Sequence, residues 1–421
     1  MIVKSFPVVT ETFILGQLKG LVQRGHDVTI FAMHHPQNAE YWNDHYINEL
    51  RRKTVYIDDV PKSKFQRIFR ILSNINLKQN DLSIFCKSFN VFKYKKLALT
   101  FYLSTLGLQL SKYQPFDIIH CQFGTLAPLF FNLREIGAIK GKLVTSFRGY
   151  DLTERLDENL KTYRQLYSKG DLFLPVCSYF KDILTQNGCH PERIEVLYSG
   201  IDVKSIPFNS GRGITDYETI RIVSVGRLVG KKGFQYAIDA VASLIDQNYR
   251  VSYTIIGDGP LRGELKERIS RLNIEQQVSI QGWRSHTGVI DELGKSHILF
   301  APSVTTESGD KEGIPNVLKE AMAVGTPVIA TDHSGIPELI LHEKTGLLVP
   351  EKDSQAIEKS VQTLLDRPDL SDRLIRNARE YVEAEFDSDI LNDKLVQLYG
   401  NLMANGNNLF EHRALSYETR I

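Results

Sequence analysis

Cysteine and long apolar runs are both scarce in this chain of 421 residues, and each shortage excludes a class of protein. The four cysteines include no C-x-x-C pair, which argues against a zinc site and a disulfide framework and favours reduced thiols. No apolar run approaches the roughly 20 residues that cross a bilayer, and residues 1–15 lack the apolar core of a secretory signal. We therefore expect a cytoplasmic protein that is soluble or lies on a membrane surface.

Excess charge of either sign is also missing, because the formal net charge is only +1. Nothing global therefore indicates a nucleic-acid partner or a strongly acidic one. The apolar content of 42% and the charged content of 24% are ordinary for a globular protein. At roughly 100–200 residues per domain, the length favours two domains.

The most informative stretch is 303–338, which reads as a loop, a helix and a strand. The apolar run 297–301 before it is typical of a buried strand. Proline is favoured at the first position of a helix, so Pro315 predicts a helix start, and the apolar residues that follow have helical spacing. Gly325 predicts the end of that helix.

Two carboxylates, Glu312 and Glu320, lie in this stretch with seven residues between them. Glycine at Gly313 would allow a ligand to approach the backbone closely, and a helix N-terminus suits an anion. A ligand with hydroxyls at one end and phosphates at the other would fit. Taken alone, the two glutamates are also consistent with a solvated loop residue and an ordinary helix-surface residue.

The whole stretch resembles the donor-sugar signature of the retaining glycosyltransferases of family 4, which have the GT-B fold. The matching pieces are Glu312, the run 320–323 (Glu-Ala-Met-Ala), Gly325, the pair 327–328 (Pro-Val) and the run 335–338 (Gly-Ile-Pro-Glu). The Gly-Ile-Pro that follows Glu312 resembles the branch of the family that builds colanic acid and related exopolysaccharides.

This resemblance implies roles for the residues of the stretch. Glu312 would bind hydroxyls of the donor sugar, and Glu320 would bind the ribose of the nucleotide. The sugar pocket would be completed by backbone groups at Gly313, Ile314, Pro315 and Asn316.

The resemblance extends from Ser5 to about Leu402 and implies an α/β protein of the GT-B fold, with two Rossmann-like parallel-sheet domains facing a cleft. The expected organisation is an acceptor-binding domain over 1–206, a linker over 207–218, a nucleotide-sugar domain over 219–387, a helix over 388–403 that returns to the first domain, and a flexible tail over 404–421.

The opening of the chain, 5–7, 11–14 and 25–28, resembles the same exopolysaccharide branch. Relatives usually have several residues before the first strand, whereas this sequence starts almost inside it. A truncated or misassigned start is therefore left open.

A glycine-bearing loop before a helix, at residues 226–233, carries Arg227 and Lys232. Two cations in such a loop suit a pyrophosphate, although solvated surface residues are an equally simple interpretation. The loop also resembles the family motif in which Arg and Lys hold the donor phosphates, which implies that role for Arg227 and Lys232, with Gly226 at the donor. The resemblance further places the nucleotide base near Gly282 and Arg284.

Polar residues follow two predicted strands, 116–121 and 143–147, at the sheet edge where ligands bind in open α/β folds. The family often has His-x-His after the first and Phe-His-Gly after the second. Here His120 and Gln122 stand at the two histidine positions of the first motif, and Arg148 stands at the histidine position of the second. Gln122 therefore replaces a histidine assigned beside the reacting sugar, His120 is consistent with a structural histidine, and Arg148 and Asp151 are favoured as functional.

Residues 61–96 carry nine Lys and Arg against one acid, Asp81, with six Phe and Tyr interleaved. Within them Phe65, Phe69 and Leu72 have helical spacing. Such a helix can lie on an anionic membrane, or its apolar face can be core with solvated bases opposite. A nucleic-acid role has no supporting motif.

The resemblance implies transfer of a sugar, with retention of anomeric configuration, from a nucleotide-sugar, UDP- or GDP-linked, to a glycan or lipid-linked acceptor, at the inner face of the plasma membrane if the basic segment binds lipid. The expected catalytic groups need no metal and no further cofactor. Two alternatives stay open: a sugar-nucleotide epimerase of the same fold, and a non-catalytic nucleotide-sugar-binding protein, for which Gln122 is the only support.

Overall fold

Two parallel β-sheets of six strands each, covered by helices, form the protein. The structure is a computed structural model, and it describes residues 1–8, 11–36, 45–58, 60–74, 79–113, 115–154, 156–209 and 219–404. Each sheet has its own buried apolar core, as expected for strands that are covered by helices on both faces.

The first sheet has the strand order β3-β2-β1-β4-β5-β6. Its strands are β1 (Ile2–Ser5), β2 (Ile30–His34), β3 (Thr54–Tyr56), β4 (Ile118–Cys121), β5 (Lys142–Phe147) and β6 (Leu172–Pro175).

The second sheet has the order β12-β11-β10-β7-β8-β9, which is the same arrangement when it is read from the other edge. Its strands are β7 (Ile220–Val225), β8 (Val251–Ile256), β9 (Val278–Gln281), β10 (Ile298–Ala301), β11 (Val328–Thr331) and β12 (Leu347–Val349).

Helices connect successive strands in both halves. In the first half they are α1 (Thr12–Gln23), α2 (His45–Arg52), α3 (Lys64–Asn74), α4 (Gln79–Ser88), α5 (Val91–Tyr94), α6 (Lys96–Leu99), α7 (Tyr102–Leu110), α8 (Ala127–Glu135), α9 (Tyr150–Thr153), α10 (Leu156–Lys169) and α11 (Ser178–Gln186). In the second half they are α12 (Phe234–Asp246), α13 (Arg262–Arg271), α14 (His286–Lys295), α15 (Asn316–Val324), α16 (Ser354–Asp366), α17 (Pro368–Glu385) and α18 (Ser388–Ala404). Within the described residues no helix is long and apolar enough to cross a membrane.

The strand order reverses beside β1 in the first sheet and beside β7 in the second. In doubly wound sheets the crevice at this point, outside the carboxyl ends of the strands, is where ligands bind. The loops after β4 and β5 and the loops after β7 and β10 therefore lie where the fold predicts a site.

The last helix, α18, returns to the first domain and packs on α1. The Asn392 side chain donates to the carbonyl of Gly16 at 3.3 Å, and Arg24 pairs with Asp393 at 2.7 Å. A Cβ at Gly20 would lie 2.1 Å from the Asn392 amide, so this close helix crossing needs glycine there. The expected fold, including the returning helix, is confirmed. Most of the predicted linker (210–218) and of the predicted tail (405–421) lies outside the described residues.

The two domains are tied together by Glu338, which follows β11. Its carboxylate accepts the backbone N–H of Ser178 at 2.7 Å and that of Tyr179 at 3.3 Å, at the start of α11 in the first domain. The hydroxyl of Tyr198 also donates to it, at 3.0 Å. A carboxylate from one domain therefore caps a helix of the other, where free N–H groups and the helix dipole favour negative charge.

The same interface contains a close approach between Gly335 and Cys177. A Cβ at Gly335 would lie 2.6 Å from the Cys177 Cβ and 2.9 Å from its sulfur. Any larger residue at 335 would push the domains apart. The buried thiol of Cys177 has its pKa raised to about 12 by burial.

The loop after β7 depends on Gly233, the residue just before α12, which has φ +62°. A Cβ there would lie 1.9 Å from the carbonyl oxygen of Pro302. We expect Gly233→Ala to destabilise the second domain by about 2 kcal/mol or more, because strain and collision act together. The control is Gly263→Ala in α13, where a Cβ meets nothing within 4 Å and the change should stabilise by up to about 1 kcal/mol. Thermal unfolding of both variants measures this; equal midpoints would contradict it.

Candidate active site

A cleft of about 570 Å³ lies between the two domains, at the carboxyl ends of both sheets. The first domain contributes α1 and the loop after β5, and the second contributes the loops after β7, β9 and β10 and the start of α15. Most of the predicted site residues line it: Arg148, Gly226, Arg227, Lys232, Arg284, Glu312, Gly313, Ile314, Pro315, Asn316 and Glu320.

Glu312 and Lys232 meet in the middle of this cleft, with the Lys232 Nζ 3.3 Å from the Glu312 Oε1. The Lys231 ammonium lies 3.6 Å from the same oxygen and 3.2 Å from Asp310. Burial acts to raise the pKa of Glu312, but the two ammonium groups outweigh it and hold the pKa below its usual range. The carboxylate is therefore ionised at neutral pH, beside cations that can also face a phosphate.

The loop that carries Glu312 is held in place by His333 and Glu351. The backbone N–H of Glu312 donates to the His333 Nε2 at 3.0 Å, so the ring proton is on Nδ1 and donates to Glu351 at 2.5 Å. Burial lowers the pKa of His333, which keeps it in this neutral form despite the neighbouring carboxylate. Sequence reasoning missed His333, because it lies 21 residues away from Glu312 after a different strand.

The N-terminus of α15 opens into the cleft beside Glu312. The helix begins at Asn316, one residue later than predicted, and Pro315 is the residue before it, with no side chain capping the turn. The first backbone N–H groups of the helix therefore have no cap and can face an anion. Gly325 ends the helix in the left-handed conformation, as predicted.

Gly313 is needed for contact between the domains. A Cβ there would lie 3.1 Å from Val176 and 3.3 Å from Phe180, both in the first domain. The sequence suggested that this glycine admits a ligand; the structure adds that it lets the loop of Glu312 pack on the opposite wall of the cleft. At Gly226, a Cβ would lie 3.1 Å from the Lys232 side chain of the same domain, so this glycine leaves room for Lys232.

Glu320 lies one turn into α15, is 93% buried, and accepts a hydrogen bond from the Nε2 of His286 at 3.2 Å. This bond raises the pKa of His286, although burial opposes it. His286 begins α14 and lines the cleft, so the pair forms a polar group where a ribose would lie if the sugar is at Glu312. His286 was not identified from the sequence.

Lys319, the residue before Glu320 in α15, is fully buried at the domain junction. Its ammonium donates to the carbonyl of Ser199 at 2.6 Å and to the Asn316 side chain at 2.9 Å, and lies over the ring of Phe386. Burial lowers its pKa to about 7. The residue joins the start of α15 to the segment that leaves the first domain, and no sequence signal distinguished it from a surface lysine.

Arg148 lies on the first-domain wall of the cleft, opposite the loops that carry Lys232 and Glu312. Its guanidinium donates to the side chain of Gln122 at 2.6 Å and to Ser199 at 2.9 Å, and stacks on Phe13 at 4.2 Å. Burial lowers its pKa to about 10, so it stays charged. Gln122, which is fully buried, therefore acts on the cleft through Arg148.

Three predicted residues do not line the cleft: His120, Gln122 and Gly282. Both ring nitrogens of His120 are occupied, by the Tyr399 hydroxyl at 2.6 Å and the Ser146 hydroxyl at 2.8 Å. Burial lowers the pKa of His120 well below its usual value, so it is a neutral histidine between β4 and α18.

Asp151, which the sequence also favoured, holds the loops behind the cleft. Its carboxylate accepts the N–H groups of Gly124, Arg148 and Gly149 at 2.8–2.9 Å. It thereby joins the loop after β4 to the loop after β5 and fixes the backbone of Arg148. Asp151 is a structural residue of this wall.

Two cleft features were not predicted. Trp283 lines the cleft with half of its surface exposed, between the two residues that the resemblance placed near the base. Glu11 precedes the cleft residues of α1, and burial raises its pKa to about 7 against the opposing charge of Arg148. Within the described residues its Oε2 is buried without a hydrogen-bond partner.

The comparisons with known proteins agree with this geometry. The sequence model described as "Glycosyltransferase Family 4" matches residues 10–205, and the one described as "Glycosyl transferases group 1" matches residues 211–381. The amylovoran biosynthesis glycosyltransferase AmsK of Erwinia amylovora is 35% identical over 94% of this chain and 98% of its own. WcaL of Escherichia coli K12, a glycosyltransferase named for colanic acid biosynthesis, is 33% identical over 94% and 97%.

The chain therefore belongs to the family 4 glycosyltransferases, and it is an enzyme similar to those of exopolysaccharide biosynthesis. Among solved structures, HepE of Anabaena in complex with UDP has a TM-score of 0.70 at 18% identity, covering 95% of this chain and 99% of that one. The sucrose-phosphate synthase of Thermosynechococcus elongatus has a TM-score of 0.69 at 17% identity, over 96% and 99%. These two support the GT-B fold.

The burial of Lys319 predicts how the free energy of unfolding depends on pH. Its pKa is about 7 in the folded protein and 10.5 ordinarily, so between these values the unfolded chain binds more protons and stability should rise with pH. In Lys319→Met this contribution is gone. The difference in free energy of unfolding, wild type minus variant, should therefore increase from pH 7 towards pH 10 in urea titrations. Parallel pH profiles for the two proteins would contradict the assignment.

Proposed function

We propose that this protein transfers a sugar from a nucleotide-sugar to a glycan or lipid-linked acceptor, with retention of anomeric configuration, in the assembly of a cell-surface polysaccharide. The observation that supports it best is the contact of Glu312 with Lys232 at 3.3 Å, next to the uncapped start of α15. The carboxylate of Glu312 suits sugar hydroxyls, whereas the ammonium of Lys232 and the free N–H groups of α15 suit phosphates. The bond between sugar and phosphate would lie where they meet.

The donor follows from the order of groups along the cleft. Glu312 would accept hydroxyls of the sugar, Lys232 and Arg227 would face the diphosphate, and Glu320 would accept the ribose hydroxyls. Trp283 offers a flat apolar surface to the base. UDP is the favoured nucleotide, since HepE is described in complex with UDP and with UDP-glucose, and GDP is the alternative, since one relative is named as a GDP-mannose-dependent mannosyltransferase.

The reaction needs a stabilised leaving group. As the C1–O bond of the donor breaks, negative charge grows on the departing phosphate oxygen, and Arg227, Lys232 and the N–H groups of α15, which all line the cleft, would stabilise it. Charge stabilisation of this kind is usually the largest catalytic contribution. We infer that no metal ion is required, because fixed cations already face the diphosphate.

Retention would follow from attack on the face that the leaving group vacates. The acceptor hydroxyl forms the new bond to C1, and its proton passes to the departing phosphate oxygen, so the products are the glycoside and the protonated nucleoside diphosphate. Arg148, held by Gln122, lies across the cleft and would orient the sugar.

The acceptor is proposed to be a glycan carried on a lipid, which would place the enzyme at the inner face of the plasma membrane. One relative, from Campylobacter jejuni, is named for transfer to a diphospho-undecaprenol-linked sugar and is 31% identical over 56% of this chain. The epimerase and the non-catalytic binding protein are less favoured, since the relatives that cover almost the whole chain are named as glycosyltransferases.

Variants of Glu312 and Lys232 test the catalytic assignment. We expect Glu312→Gln and Lys232→Ala each to lower kcat about 10²–10³-fold, because each removes a charge that acts on the reacting sugar-phosphate bond. The matched control is Glu307→Gln, an exposed carboxylate on the same loop, which should leave the rate unchanged. The measurement is release of nucleoside diphosphate with a panel of acceptors. Full rates in both cleft variants would exclude this mechanism.

Calorimetric titration with UDP-, GDP- and ADP-sugars tests the donor site and the metal. One nucleotide should bind at micromolar Kd, with the same Kd in magnesium and in EDTA, and Glu320→Ala should weaken it about tenfold or more because a charge-assisted hydrogen bond is lost. Glu307→Gln again serves as control. Loss of binding in EDTA would refute metal independence, and unchanged binding by Glu320→Ala would refute the ribose assignment.

A further inference from the structure

The helix α3 presents its apolar face to solvent. Phe65 is 85% exposed, Phe69 is 75% exposed and Leu72 is 70% exposed, and all three lie on one side of the helix together with Ile68. Large apolar side chains grouped in this way on a protein surface usually mark a site of interaction.

The opposite face of α3 is the one that packs on the protein. Ile71 is buried, and Arg67 points inward, where its guanidinium donates to the carbonyls of Pro61 at 2.5 Å and Thr100 at 3.0 Å and stacks on Tyr102 at 5.2 Å. The sequence left open whether the apolar side of this helix is core. The structure shows that it is not, because an arginine anchors the helix and the phenylalanines are left outside.

Exposed apolar side chains are concentrated in this part of the molecule. Within the described residues, eight of the fourteen large apolar side chains that are exposed lie between 65 and 99. Phe92 on α5 is 99% exposed, and Leu99 at the end of α6 is 56% exposed, next to the Thr100 carbonyl that Arg67 binds. We define the apolar surface as the four residues Phe65, Ile68, Phe69 and Leu72 of α3.

Positive charge borders the apolar surface. Lys62 and Lys64 precede and begin α3, and both are exposed. Asp81 is the one acid in the sequence between 61 and 96. Acidic side chains, which would repel an anionic partner, are therefore scarce in this segment of the chain.

We propose that the apolar surface docks the enzyme on an anionic lipid bilayer, with the phenylalanines inserted at the level of the headgroups and the lysines against lipid phosphates. Aromatic residues among lysines, on a helix that lies flat on the protein, are the combination by which interfacial helices bind membranes. This inference adds a membrane partner to the proposed transfer to a lipid-linked acceptor. Only its link to that acceptor rests on the proposed function.

Charge complementarity decides in favour of lipid over a second copy of the chain. Two copies meeting through this face would bring lysine against lysine, with Asp81 as the one acid of the segment on each side. An anionic bilayer offers both negatively charged headgroups and an apolar interior. Binding should therefore require anionic lipid and weaken with salt, whereas self-association would need no lipid and would strengthen as salt screens the lysines.

The first experiment is sedimentation of the full-length protein with vesicles of phosphatidylcholine alone and of phosphatidylcholine mixed with phosphatidylglycerol. Wild type should bind the mixed vesicles and be released by high salt. Phe65→Ser combined with Phe69→Ser should lower the partition coefficient about tenfold or more, because two apolar side chains no longer enter the bilayer. Lys62→Gln combined with Lys64→Gln should lower it on mixed vesicles.

The matched control is Leu272→Ser, which removes an exposed apolar side chain from the second domain and should bind vesicles like wild type. Calorimetric nucleotide binding by every variant, expected to be unchanged, shows that the fold and the donor site are intact. Vesicle binding lost together with nucleotide binding would indicate misfolding, and the Leu72→Trp measurement below then decides.

Leu72→Trp places an indole on the apolar surface. Its fluorescence, measured as the difference from wild type, should shift to the blue on mixed vesicles and be quenched by brominated lipid. No vesicle binding by wild type, equal binding by the phenylalanine variant, or an indole that stays in water would each overturn the proposal. A dimer in ultracentrifugation that is lost in the phenylalanine variant would overturn it in favour of self-association. If the protein binds vesicles but fails to transfer sugar, the docking proposal stands. The nucleotide titration distinguishes a failure of the proposed function from a failure of docking.

Discussion

The cleft depends on one carboxylate, that of Glu338, which belongs to the second domain and caps a helix of the first. Its oxygens accept N–H groups at the start of α11 and the hydroxyl of Tyr198 near the domain junction. Because the acceptor lies in one domain and the donors in the other, these bonds form only when the two sheets face each other. The glycines at 313 and 335 make the same approach possible by leaving out side chains that would collide with Phe180 and Cys177. Contact between the domains and assembly of the site are therefore one event.

Burial and charge are balanced within the site so that each group keeps a useful protonation state. Glu312 stays ionised because Lys231 and Lys232 outweigh its desolvation, and His333 stays neutral because burial outweighs its pairing with Glu351. The two cations next to Glu312 are held in place by that carboxylate, which would lower the reorganisation that the proposed diphosphate donor requires. On the other wall, Gln122 binds Arg148, so a cation lines the cleft although residue 122 is glutamine.

Sequence alone predicted the features that depend on residues close together in the chain. The buried strands of both sheets, the helix after Glu312 and the two glutamates all follow from local patterns, and the structure places both glutamates in the cleft. The strand β3 was missed because it has only three half-buried residues and no periodicity. His286, His333 and Lys319 were missed because their partners come from distant parts of the chain. The orientation of α3 could not be read from its spacing, because that spacing is the same whichever face is buried; what decides is Arg67, which reaches carbonyls of two other segments.

The contact between Gly335 and Cys177 gives the molecule an internal reporter. Cys177 is buried where the second domain packs on the first at Gly335, whereas Cys86 is exposed on the first domain. An alkylating reagent would therefore reach Cys86 at the rate of an open thiol, but would reach Cys177 only in molecules whose domains have separated. The ratio of the two modification rates measures how often the cleft opens, and a nucleotide that holds the domains together would slow the second rate without changing the first.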